Sequence, residues 1–251
     1  MPHTAVIVGA AQGIGEAIAR RLAADGEGEV ILADLQFGAV EKLSDELTKQ
    51  GYRSRPAHVD ITRPESVAAL VAATPGATRV AIAAGTFQAT PSLEVTGQEF
   101  NRVLEVNLIG VYEVARAYAQ AMIKQAGGAI CAVGSIAARM PRMRQAAYCA
   151  SKAGMRQALR VLGLEVRPFG VRINFVAPGP TVTPMMARLA EDHPGVELWQ
   201  GDLAAARPRI LDQRLGQPHD IAAATAFLLS DESAHVALHD LYVDGGESLG
   251  I

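Results

Sequence analysis

Seven short apolar runs punctuate the chain, and stretches of helical period separate most of them. Residues 4–8, 29–33, 53–59, 79–84, 129–133, 171–176 and 241–243 read as strands. Between them, residues 16–24, 39–50, 64–73, 97–125, 145–166 and 218–229 read as helices. Residues 183–217 break the pattern: they are polar, rich in Arg and interrupted by prolines, which predicts short helices forming a flap. Strand–helix alternation of this kind predicts an α/β fold, one doubly wound parallel sheet of seven strands in a single domain over residues 1–251. There are no internal repeats and no low-complexity tract. Ligands of such sheets bind beyond the carboxyl ends of the strands. Gly9, Asp34, Gly85, Ser135 and Pro178 all follow predicted strands, so the pattern gathers them on one rim.

Composition narrows the classes of partner. A 251-residue chain with 49% hydrophobic and 20% charged residues is ordinary for a globular enzyme. A formal charge of −3 gives no reason to expect nucleic acid or an anionic membrane. The two cysteines, Cys131 and Cys149, suggest no disulfide framework, which fits a reducing compartment. No secretory pattern and no apolar run near the ~20 residues of a membrane span is visible, so the expectation is a cytoplasmic protein. His235 and His239 lie four apart, but in a loop approaching a strand, and no metal site is expected.

The chemistry lies in a few stretches. Gly9-Ala-Ala-Gln-Gly13-Ile-Gly15 sits between a strand and a helix, the context in which glycines permit a tight turn and a helix N-terminus receives phosphate. Asp34 ends the second strand, about 20 residues beyond that loop, where a carboxylate accepts both ribose hydroxyls and repels a 2′-phosphate. Ala10, Ala11 and Gln12 offer no cation to such a phosphate, so NAD is favoured over NADP. Asp60-Ile61 either borders the adenine or caps the following helix. Asn107 lies among apolar residues and must find partners if buried. Tyr148 and Lys152 are four apart on one helical face. A free phenol has a pKa of about 10, and a nearby ammonium favours the phenolate. A drop of about three units corresponds to roughly 4 kcal/mol and would produce a base for an alcohol proton. Arg139, Arg142 and Arg144 fall between Ser135 and Tyr148 and suggest an anionic substrate. Arg188, Arg207 and Arg209 in the flap either add to that positive field or are simply exposed, and the exposed reading is favoured.

Taken together, these residues resemble the short-chain dehydrogenase/reductase family over essentially the whole chain. The resemblance rests on Gly9, Gly13 and Gly15, on Asp34 and Asp60, on Ala83-Ala84-Gly85, and on Asn107 and Ser135. Tyr148-x-x-x-Lys152, Pro178-Gly179 and Val243-Asp-Gly-Gly246 complete it. It implies a Rossmann-type fold and a catalytic tetrad of Asn107, Ser135, Tyr148 and Lys152. Tyr148 would be the acid/base, Lys152 would lower its pKa, Ser135 would hold the reacting oxygen, and Asn107 would organise a proton-relay water. The implied cofactor site comprises Gly9, Gln12, Gly13, Ile14, Gly15, Asp34, Asp60, Ile61, Ala84, Gly85, Tyr148, Lys152, Pro178, Gly179, Thr181 and Thr183. There are two departures from the family pattern: Ile82-Ala83 replaces an Asn pair, and Val8 replaces a Thr.

Within the family, Pro141-Arg142 and the C-terminal His235-x-x-Leu238-x-Asp240…Val243-Asp-Gly-Gly-x-x-Leu249-Gly250 are similar to 2,3-dihydro-2,3-dihydroxybenzoate dehydrogenases of catechol siderophore pathways. That similarity implies a small anionic cyclic substrate, with Arg142 first and Arg144 second as carboxylate ligands. The amino analogue, 2,3-dihydro-3-hydroxyanthranilate, would use the same site. A homotetramer or homodimer is also implied. The competing readings are another alcohol or 3-oxoacyl substrate on the same fold, and a non-catalytic NAD-binding regulator.

Overall fold

The computed structural model describes residues 3–26, 28–125, 127–191, 198–202 and 204–249, with backbone alone at 188–191. Its strands are β1 (Thr4–Val8), β2 (Glu29–Asp34), β3 (Arg53–His58), β4 (Ala77–Ile82), β5 (Gly128–Val133), β6 (Val171–Pro178) and β7 (Asp240–Val243). They form one parallel sheet in the order β3-β2-β1-β4-β5-β6-β7. β1 lies between β2 and β4, with Val6 opposite Ile31 on one side and Val80 on the other. The strand order therefore reverses beside β1, and a crevice opens at the carboxyl ends there.

The helices are α1 (Gly13–Ala24), α2 (Phe37–Lys49), α3 (Pro64–Ala73), α4 (Gly97–Leu104), α5 (Val111–Ile123), α6 (Ala146–Val166), α7 (Pro184–Glu191) and α8 (Pro218–Leu229). Alternate residues of each strand serve opposite faces of the sheet. Val6, Ile31, Val80, Ile130 and Ile173 meet Tyr118 and Met122 of α5 and Met155 and Leu159 of α6. Ile7, Val30 and Leu32 meet Ile18 and Leu22 of α1, Leu43 and Leu47 of α2, and Ile221 of α8. Each such aliphatic side chain, taken fully out of water, contributes about 1.5–3 kcal/mol before entropy is counted.

Two details differ from the sequence pattern. β4 stops at Ile82 instead of running to Ala84, because the amides of Ala83 and Ala84 both turn to donate to the Val8 carbonyl, at 2.7 and 3.0 Å. These amides tie β4 to β1, and the first of them, Ala83, stands where the family pattern has an Asn. The helix expected over 97–125 is interrupted by a π-helical turn at Glu105–Gly110. Its centre, Asn107, is completely buried and bonded to the loop after β4, which takes that turn out of α-helical register. The segment after β6 holds α7 and a 3₁₀ turn (Leu198–Gln200), in keeping with the short helices expected there, and two isolated bridges, Thr181 with Gly216 and Asp202 with Arg207.

The long α6 is tied to β7 by charge. Arg156 Nε and Arg160 Nη2 both donate to Oδ2 of buried Asp240 at 2.6 Å. Removing that carboxylate strands two half-buried guanidiniums. Asp240→Ala is expected to destabilise the protein by about 2–3 kcal/mol, which is roughly 5–10 °C in Tm for a domain of this size. An unchanged thermal melt would refute that account of the α6–β7 contact.

Candidate active site

The loop from β1 into α1 is shaped by what glycine lacks. Gly9 has φ +90°, and a Cβ there would lie 2.4 Å from the amide nitrogen of Ala84. A Cβ on Gly15 would lie 1.8 Å from the Gly9 carbonyl oxygen. Gln12 precedes α1 without capping it through its side chain, so the helix's first N–H groups face outward as donors for an anion. Asp34, at the end of β2, accepts from the amides of Ala11 (3.0 Å) and Gln36 (2.9 Å). These bonds fix its carboxylate beside the loop.

A cleft of about 1030 Å³ opens here, lined by Gly9, Gln12, Gly13, Ile14, Gly15, Asp34, Asp60, Ile61, Ala84 and Gly85. The cap of α3 is Arg63, which leaves Asp60 on the cleft wall. Asp60 is locked by Thr62, which donates its hydroxyl at 2.7 Å and its amide at 3.0 Å and holds the carboxyl below its usual range. The donor set, the glycine cradle and the volume of about 1030 Å³ fit a dinucleotide. Arg102 of α4, which the sequence reading passed over, also lines this cleft.

A second cavity of about 170 Å³ adjoins the first; Ile14, Ala83, Gly85, Thr86, Thr183 and Met185 line both. Its other walls include Ser135, Tyr148, Lys152, Pro178, Gly179, Thr181 and Arg142. Ser135 lies two residues beyond β5, where its hydroxyl caps a 3₁₀ turn by accepting from Ala137 N at 3.1 Å. It also hydrogen-bonds the Tyr148 hydroxyl. Phe87, another residue the sequence did not single out, packs against the Tyr148 ring edge-on at 5.0 Å. Thr181 is buried and bonds back to Gly179 O, while Thr183 accepts from Met186 N at the start of α7.

Lys152 corrects one expectation. It donates to the Val133 carbonyl at 2.9 Å, and its Nζ lies 5.8 Å from the centre of the Tyr148 ring. In this structure burial outweighs the ammonium. It pushes the phenol up to about 12, against the opposing hydrogen bond from Ser135, and pushes Lys152 down to about 8. Asn107 lies beneath the cavities, lining neither. Its Oδ1 accepts from Thr86 N at 2.7 Å, and its Nδ2 donates to Thr86 O and Ser151 Oγ at 2.9 and 3.1 Å. It thus joins the loop after β4 to α6, which carries Tyr148 and Lys152.

The arginines sort differently from their sequence order. Arg142 lines the cavity and pairs with Glu247 at 2.6 Å, the two side chains being 9% and 1% exposed. Arg144 is exposed, with φ +65°, and lines neither cavity, so it is not placed to hold substrate there. Its turn conformation carries it out of the site. Arg139 is exposed and donates to the Tyr242 hydroxyl. Arg207, favoured as exposed from the sequence, is half-buried and lines the second cavity, on a segment docked to the C-terminal turn by Asp212 N donating to Gly245 O. Arg209 is exposed, and the Arg188 side chain lies outside the described residues. Glu247 stood inside the C-terminal pattern as an unassigned position. Burial raises its carboxyl above the ordinary range, against Arg142 and then Arg207.

Comparison with known proteins agrees with this geometry. Residues 9–248 match the family described as Enoyl-(Acyl carrier protein) reductase. The chain is 35% identical to a 2,3-dihydro-2,3-dihydroxybenzoate dehydrogenase of Bacillus subtilis (strain 168), over 98% of this chain and 96% of the relative. It is 33% identical to a vibriobactin-specific 2,3-dihydro-2,3-dihydroxybenzoate dehydrogenase of Vibrio cholerae, over 97% and 95%. Among solved structures, a 7α-hydroxysteroid dehydrogenase complexed with NADH and 7-oxo glycochenodeoxycholic acid superposes with a TM-score of 0.89. It is 27% identical, covering 98% of this chain and 94% of that one.

The depressed Lys152 value has a consequence for stability. Its pKa is about 8 in the folded protein against an ordinary value of 10.5, so between those values the unfolded chain binds more protons and stability rises with pH. Below pH 8 the full penalty of burying the ammonium is present. Lys152→Met is therefore expected to melt higher than the wild type at pH 7 without cofactor, with the gain shrinking by about pH 9.5. A difference in Tm that stays constant with pH would contradict the burial argument.

Proposed function

The chain belongs to the short-chain dehydrogenase/reductase family, and from that premise we propose that it is an NAD-dependent dehydrogenase of a cyclohexadiene carboxylate. The family makes it an NAD(P)-dependent oxidoreductase acting on an alcohol group. The proposed substrate is a trans-2,3-dihydro-3-hydroxy acid, oxidised at C3, and the product is 2,3-dihydroxybenzoate or 3-hydroxyanthranilate. The observation that carries this reading is the position of Arg142, a guanidinium on the wall of the cavity that holds Ser135 and Tyr148. The names of the Bacillus and Vibrio relatives point the same way.

Bound in the larger cleft, oxidised NAD would accept a hydride and bring a positive charge that favours phenolate over phenol. Gly9, Gly13, Gly15 and the first turn of α1 would hold its pyrophosphate, and Asp34 its adenosine ribose. Ser135 donates to the C3 oxygen and keeps it against Tyr148. Tyr148 takes the hydroxyl proton as the C3–O bond becomes a carbonyl. Lys152, fixed by Val133, keeps a proton donor beside that tyrosine. The ketone then tautomerises to a phenol, and aromatisation drives the sequence forward. Asn107 holds the loop and helix that carry these groups in register.

A second reading has one observation behind it: the chain is also 34% identical, over 96% of its length, to a 3-oxoacyl-[acyl-carrier-protein] reductase of Escherichia coli (strain K12), so a 3-oxoacyl thioester is the competing substrate. The proposal extends to an assembly of two or four copies through α6, where Val161 and Leu164 are exposed. It also includes a cytoplasmic location, consistent with two free cysteines. No helix among the described residues is long and apolar enough to cross a membrane.

The direct assay follows NADH formation with trans-2,3-dihydro-2,3-dihydroxybenzoate and trans-2,3-dihydro-3-hydroxyanthranilate side by side. Turnover of either is expected; turnover of only a 3-oxoacyl thioester would replace the proposal with the second reading. Tyr148→Phe should bind NADH normally and lose roughly 10²–10⁴-fold in kcat; substantial residual activity would remove Tyr148 from its role. Asp34→Asn should raise kcat/KM for NADP relative to NAD by about tenfold, about 1.4 kcal/mol. An unchanged ratio would show that the carboxylate does not select the cofactor.

A further inference from the structure

We infer that Arg207, reaching in from the segment after α7, is a second substrate anchor, forming with Arg142 a two-arginine clamp for one carboxylate. The inference rests on reading the smaller cavity as a carboxylate site and gives a specific role to a residue for which the sequence favoured an exposed position.

Its starting point is unmet hydrogen-bonding capacity. Among the described residues, six buried side-chain polar atoms have no hydrogen-bond partner. Three of them are Arg142 Nη1, Arg207 Nε and Glu247 Oε2. Buried guanidinium nitrogens without acceptors are costly, and a cluster of them beside a cavity marks a position where a ligand supplies the acceptors. Both arginines line the cavity that holds Ser135 and Tyr148. Glu247 takes only one edge of Arg142, at Nη2, and leaves Nη1 open. Two guanidiniums against one carboxylate leave one positive charge in excess, which a singly charged anion would balance.

The backbone holds Arg207 in place. Its amide and carbonyl both pair with Asp202, each at 2.8 Å. A few residues on, Asp212 N donates to Gly245 O at 3.1 Å, docking this segment on the turn that carries Glu247. That turn is closed by Asp244, which accepts from Gly246 N and Ser248 N. Arg207 and Arg142 thus come from segments far apart in sequence and meet around one rigid turn. An arginine presents donors in a planar fork that matches a carboxylate, and two such forks distinguish a carboxylate from an amide or ester of the same shape.

The test measures binding to the full chain in the presence of NADH, by calorimetry, with 3-hydroxybenzoate and 3-hydroxybenzamide as probes. Wild type should prefer the carboxylate. Arg207→Gln should weaken 3-hydroxybenzoate by at least about tenfold, leave 3-hydroxybenzamide within about twofold, and leave NADH affinity unchanged. Arg207→Lys, which keeps the charge, should recover part of the loss. Equal losses for both probes, no loss at all, or no carboxylate preference in the wild type would overturn the clamp. Turnover of the dihydro acids, measured on the same preparations, separates the two readings. Silence there with the carboxylate preference intact keeps the clamp and discards the proposed substrate. Turnover with KM unchanged in Arg207→Gln keeps the substrate and discards the clamp.

Discussion

The structure depends on a close approach of two backbones. The Val8 carbonyl receives the amides of Ala83 and Ala84, and Gly9 lies so near Ala84 that a Cβ between them would clash. This contact joins β1 to β4 at the place where the strand order reverses. A crevice forms at such a point because the connections from β1 and β4 leave toward opposite faces of the sheet. The same contact sets the path of the glycine loop, and the loop sets where the first turn of α1 points its free N–H groups. Asp34 then fastens the loop to β2 through Ala11.

From that crevice the site is built by burial more than by proximity of charges. Tyr148 and Lys152 share a helical face, but the ammonium is turned to a main-chain carbonyl and both groups are pushed toward their neutral forms. A buried site of this kind responds strongly to any charge brought into it, since little solvent remains to screen the interaction. Asn107 holds the arrangement from below. Its three hydrogen bonds link the loop after β4 to α6, and the π-helical turn gives its side chain the position those bonds need.

The corner formed by Arg142, Arg207 and Glu247 has a different physical character. Its polar atoms are shielded and only partly satisfied, in contrast to the completely bonded Asn107. Glu247 keeps Arg142 from being an isolated buried charge, and both guanidinium side chains border the cavity with a buried nitrogen left unpartnered. The cavity thus carries the Ser135 and Tyr148 hydroxyls together with the guanidiniums of Arg142 and Arg207 on its walls.

By itself the sequence determined the alternation of strands and helices, hence the sheet, its direction and the rim on which Gly9, Asp34, Gly85, Ser135 and Pro178 gather. It could do so because periodicity, glycine turns and helix starts are local properties, each written within a dozen residues. The spacing of Tyr148 and Lys152 was legible for the same reason. Which arginine faces the cavity was not: Arg142 and Arg144 are two residues apart, and a single left-handed backbone angle sends Arg144 into solvent. Only the tertiary structure decided that Arg207 lines the cavity, on a segment docked to the C-terminal turn. The pairing of Arg142 with Glu247, 105 positions away, and the burial that shifts Tyr148 upward are likewise products of packing. Desolvation and long-range pairing depend on what surrounds a residue in space, and no local pattern encodes that.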